Sequence, residues 1–155
     1  MNGAMMSEAS RILLLAALSL AVGFTWQGLR TASIPVSSPD RLVAELRLAQ
    51  VAALLLAACA AAYFGFAATH ENVQGAGLDV ALALGFGLVA ASTIVRDPRQ
   101  ALTMVALAFA AHAVLDVAHR PGVLPDGVVP RWYSVGCAIF NVYIGAVAYW
   151  PMLRR

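Results

Sequence analysis

The sequence has 155 residues, 61% of them hydrophobic and 12% charged, with a mean hydropathy of +0.79. A soluble domain carries roughly 45–50% apolar and about 25% charged residues, so this chain has about half the charge needed to clothe a water-facing surface. The same figures exclude disorder, and a net charge of +2 gives no electrostatic footprint for nucleic acid.

Five apolar runs, each near the ~20 residues that a helix needs to cross the hydrocarbon core, predict an all-α transmembrane bundle in a single domain over 1–155. No strand-like alternation competes with that reading. The first span covers about 10–29; its apolar run follows Arg11 as in a signal peptide, but it lacks an Ala-x-Ala site and is expected as a retained anchor. A breaker-rich loop from Ser33 to Pro39 leads to Asp40, the expected cap of the second span, 41–69. His70 to Gly75 is a polar turn. The third span, 77–95, takes in Asp79, which suits the positive end of its helix dipole. Asp97 as cap and Pro98 at the first helical position open the fourth span, 99–119, which takes in Asp116. Arg120-Pro121-Gly122 ends it, and Pro125 and Pro130 keep the next loop extended. The fifth span, 131–152, has Trp132-Tyr133 and Tyr149-Trp150 at its ends, about 27 Å apart as a helix, the distance between two aromatic belts. The glycines flanking Phe86 and the alanines from 57 to 62 are expected at close helix crossings.

Orientation follows from arginine in alternate loops. Arg11, Arg120 and Arg131 fall on one side; Arg30, Arg41, Arg47, Arg96, Arg99, Arg154 and Arg155 fall on the other. Three against seven predicts an N-terminus outside and a C-terminus in the cytoplasm, in an inner (plasma) membrane.

With alternating helices, His70, Glu71, Asp79, Asp116, His119, Tyr133, Cys137 and Asn141 gather at the outer end of the bundle. His112 lies one to two turns deeper. His112, Asp116 and His119 are spaced i, i+4, i+7 and share one helix face. An ionised Asp in a span costs ~2.5–3.5 kcal/mol, so Asp116 should face the interior and a partner. Three readings follow. The face can bind a transition metal (iron, zinc or copper) through Asp116 and His119, whose i, i+3 spacing matches that of di-iron bundles, with His70, Glu71 or Cys137 closing the site. Alternatively, Asp116 orients His112 as a catalytic base or proton relay. In the third, a buried His–Asp pair fixes packing. Haem is a weaker fit, since it needs histidines from two facing helices. Asp79 reads as a helix cap, Cys59 as packing, and Asn141 as a hydrogen-bonding residue across the bundle.

The stretch His112-x-x-x-Asp116-x-x-His119, then Pro130-Arg131-Trp132-Tyr133, then Cys137-Ala138-Ile139-Phe140-Asn141 resembles a family of small uncharacterised bacterial multi-span membrane proteins. That family carries an Asp where this chain has Asn141. The resemblance covers about the last third of the chain and implies one site built from His112, Asp116, His119, Tyr133 and Cys137, without naming its chemistry.

Function classes stay open at this point. The site can serve a metal-assisted enzyme acting on an apolar substrate, a metal- or proton-binding protein, or an accessory subunit of a larger membrane complex or homo-oligomer with no chemistry of its own. A transporter is the weakest reading, because no internal repeat or broken mid-membrane helix is present.

Overall fold

The computed structural model describes residues 8–69, 74–125 and 127–154, with Ala9 described by its backbone only. His70 and Glu71, two of the expected metal ligands, lie outside the described residues. Among the described residues there are five α-helices and no strand. They are α1 (Glu8–Ser33), α2 (Pro39–Thr69), α3 (Ala76–Ser92), α4 (Pro98–Ala118) and α5 (Arg131–Leu153). A 3₁₀ turn, Thr93–Val95, lengthens α3, and each of the five is then long and apolar enough to cross a membrane.

Local chemistry sets the helix limits. Asp97 accepts hydrogen bonds from the backbone N–H groups of Arg99 and Gln100, with Pro98 opening α4. At the start of α2 the capping oxygen belongs to Ser38, which accepts from the N–H of Asp40 at 3.3 Å. Asp40 is therefore inside the helix, a correction to its expected role as cap. Pro39 makes the shift intelligible, since it fills a first helical position that has no N–H to satisfy. Gly75 precedes α3 at φ 102°, and a Cβ there would sit 2.4 Å from Pro125. Only glycine suits that turn.

Helix α4 packs most extensively against α5 and also against α2; α3 lies against α2, and α1 against α5. Gly145 lets α4 and α5 approach closely, as a Cβ there would meet Phe109 Cβ at 3.2 Å and the Ala106 carbonyl at 3.3 Å. Gly85 and Gly87, expected at a helix crossing, have no neighbour within 4 Å of such a Cβ. A lower apolar core gathers Leu48, Leu56, Leu102, Val105, Phe109 and Ile144. An upper one joins Ala60, Tyr63, Val128, Val129, Tyr133 and Cys137. Outward-facing residues such as Leu54, Leu88 and Ile139 are exposed and apolar, which suits contact with lipid tails rather than water.

Candidate functional site

The upper core encloses the polar residues. Helix α4 contributes His112 and Asp116 one turn apart, and His119 at its C-cap. Helix α2 adds Tyr63, α3 adds Asp79, and α5 adds Tyr133, Cys137 and Asn141 at i, i+4 and i+8, one face of that helix. All eight side chains are buried. Tyr133 is thus a core residue, while its neighbour Trp132 is exposed and free to act as a belt residue.

The side chains separate into two groups. In the first, Asp116 is the acceptor: the Tyr63 hydroxyl donates to its Oδ1, and Asn141 Nδ2 donates to its Oδ2 at 2.8 Å. The same Asn141 Nδ2 lies 3.3 Å from Cys137 Sγ. His112 Nε2 stands 3.8 Å from Asp116 Oδ1, too far for a hydrogen bond. Donor atoms of His112, Asp116 and Cys137 all fall within 4.8 Å of one another.

In the second group, His119 Nε2 lies 2.9 Å from Asp79 Oδ1, while Nδ1 lies 2.7 Å from the Leu115 carbonyl. This separates His119 from the ion that it was expected to share with Asp116. The reason is local: α4 ends at Ala118, and the C-cap conformation of His119 (φ −70°, ψ 78°) lets its ring reach back to Leu115 and across to α3. Asp79 likewise does not use its side chain as a cap. The cap of α3 is Gly75, whose carbonyl accepts from the Asp79 N–H, and the carboxylate turns to His119.

Aromatic rings hold the two groups in place. Tyr63 packs against both imidazoles, with centroids 5.5 Å from His112 and 5.4 Å from His119. Phe86 stacks on His112 at 4.5 Å and 14°. Between α2, α3 and α4, a cavity of about 10 Å³ touches Tyr63, Phe86, His112 and His119, about the space of one water. Cys59, one turn before Tyr63, packs at the edge of the same cluster.

Three buried side-chain atoms have no hydrogen-bond partner among the described residues: His112 Nδ1, Asn141 Oδ1 and Asp79 Oδ2. All three belong to these two groups. Buried polar atoms are normally paired, so orphans concentrated in one place mark where a ligand, ion or water completes the structure.

Tyr63 is the residue that sequence reasoning missed. Its signal was available, as a hydroxyl in an otherwise apolar run two turns before His70. No protein-family model, curated protein or solved structure matches the chain. The functional reading therefore rests on the site itself.

Proposed function

We propose that this integral membrane protein binds a divalent transition metal through His112, Asp116 and Cys137 near the outer end of its helix bundle. The observation that carries the reading is the convergence of three buried donors of different kinds, from two helices, within 4.8 Å. Charge supports it. A neutral imidazole, a carboxylate and a thiolate together carry two negative charges, which cancel a divalent cation in a medium where a net charge is costly. Imidazole and thiolate donors favour zinc, copper or iron over magnesium or calcium. Asn141 and Tyr63 supply the outer hydrogen bonds that hold such ligands: the amide touches both the Asp116 carboxylate and the Cys137 sulfur, and the phenol fixes the other carboxylate oxygen. Three protein donors leave a fourth position for water or a reacting group, the pattern of catalytic rather than closed structural zinc sites.

The arginine imbalance further supports an outward-facing site in a plasma membrane, with the C-terminus in the cytoplasm. An impermeant thiol reagent should label Gln74→Cys in intact cells; labelling only after lysis would reverse the orientation.

Metal analysis of the protein purified in mild detergent tests the site. Stoichiometric zinc, copper or iron is expected in the wild type, either as purified or after titration, and should be lost in both His112→Gln and Cys137→Ser. A wild type that takes up none of the three, or a metal load indifferent to both substitutions, would overturn the proposal.

A further inference from the structure

The second polar group carries an inference of its own, independent of any metal. Both ring nitrogens of His119 face oxygen: Nδ1 the Leu115 carbonyl at 2.7 Å, and Nε2 the Asp79 carboxylate at 2.9 Å. A carbonyl only accepts, so Nδ1 must carry a hydrogen. A neutral imidazole has only one N–H, so its Nε2 would then present a lone pair to a carboxylate oxygen. Two acceptors at 2.9 Å repel, and inside a bundle no bulk water relieves them. The contact is favourable only with one more proton between the two groups.

That proton belongs on the ring. His119 caps the C-terminus of α4, where the helix dipole favours a cation, and Asp79 lies in the first turn of α3, where it favours an anion. We infer that Asp79 and His119 form a proton-binding site, an imidazolium–carboxylate pair that takes one proton from solvent onto His119 Nε2 and seats α3 on α4 while it holds it.

The surroundings fit a proton held there. From α2, Tyr63 offers its ring to His119 and its hydroxyl to Asp116. From α4, His112 packs against the same ring and lines the same cavity as His119, and from α5 Tyr133 packs edge-on to Tyr63. Among the described residues, no arginine pairs with Asp79 to replace the imidazolium as its counter-ion. Neither member of the pair belongs to the His112–Asp116–Cys137 group. Releasing the proton would set the Nε2 lone pair against Asp79 Oδ1 and remove the polar tie between α3 and α4 beside the cavity that both helices line. Proton occupancy is thereby linked to how α3 is seated.

Long-range ¹H–¹⁵N spectra of the histidine rings test this in the full-length protein in detergent at pH 7.5, where a solvated imidazole is mostly neutral. The chain has three histidines, and His119→Gln assigns the signal. The His119 ring is expected to show two N–H groups in the wild type. It should lose one in Asp79→Asn, whose new amide can donate to Nε2 and keep the contact with a neutral, Nδ1-protonated ring. A His119 ring with a single N–H in the wild type would overturn the inference, whatever the variant does. So would a second N–H that persists in Asp79→Asn.

Discussion

The two ends of the bundle bury polar side chains in opposite ways. At the end predicted to face the cytoplasm, Arg41 and Glu45 are each only 2% exposed, and every nitrogen of the guanidinium has an acceptor. Nε donates to Glu45 at 2.7 Å, Nη1 to the carbonyls of Thr31 and Ile34 at 2.5 and 3.1 Å, and Nη2 to the Pro151 carbonyl at 2.7 Å. Arg99 approaches the other Glu45 oxygen at 3.4 Å. One arginine thus ties the end of α1, the start of α2 and the end of α5, using carbonyls at or just beyond helix ends. At the other end, three buried atoms have no partner among the described residues. The contrast shows how to weigh a buried charge in a membrane protein. A completed network accounts for itself as architecture, while an incomplete one built from metal-ligating side chains asks for something further.

Substitutions at the two ends should therefore fail differently. The largest stability loss is expected for Glu45→Ala, which strands the Arg41 cation without its counter-ion; breaking a buried pair in this way costs about 3–5 kcal/mol. Denaturant unfolding in detergent should show that loss with metal content unchanged. Asp116→Asn comes next. An amide cannot accept from Tyr63 and Asn141 on both of its atoms, so one donor loses its partner at a cost of about 1–3 kcal/mol, and metal binding should be abolished. A fall in stability with full metal retention would place Asp116 among the packing residues. Arg99→Ala should do least. Its side chain is half exposed and its contact with Glu45 is long, so the expected change is below about 1 kcal/mol. A loss at Arg99 equal to that at Glu45 would mean that the network, rather than the Arg41–Glu45 pair, holds that end.

How much of this was legible in the sequence divides along the same line. Hydropathy and helix punctuation place five helices because the bilayer admits only helices and closed barrels, and the sequence has no strand-like alternation. The i, i+4 spacing places His112 beside Asp116, and alternation of spans brings α5 with Cys137 and Asn141 to the same end. Helical periodicity says which face a residue shares, but not which neighbouring helix that face meets. His119 could be placed on the face of Asp116, yet its preference for Asp79 depends on how α4 terminates and on α3 lying alongside. Tyr63 shows in the sequence as a lone hydroxyl in an apolar run, but that position alone does not say that it meets Asp116 on α4. Arg41 read as a loop charge because loop composition carries no information about burial; its i, i+4 relation to Glu45 was the available clue.

The central claim is that the outer group is a metal site containing a thiolate, and cobalt substitution tests it most directly. Cobalt(II) added to the metal-free wild-type protein should produce the near-ultraviolet charge-transfer absorption of a cysteine–cobalt bond, saturating at one ion per chain. Cys137→Ser should lose that band, whereas Cys59→Ser should keep it. A wild-type spectrum without the band, or a band that survives Cys137→Ser, would contradict the assignment.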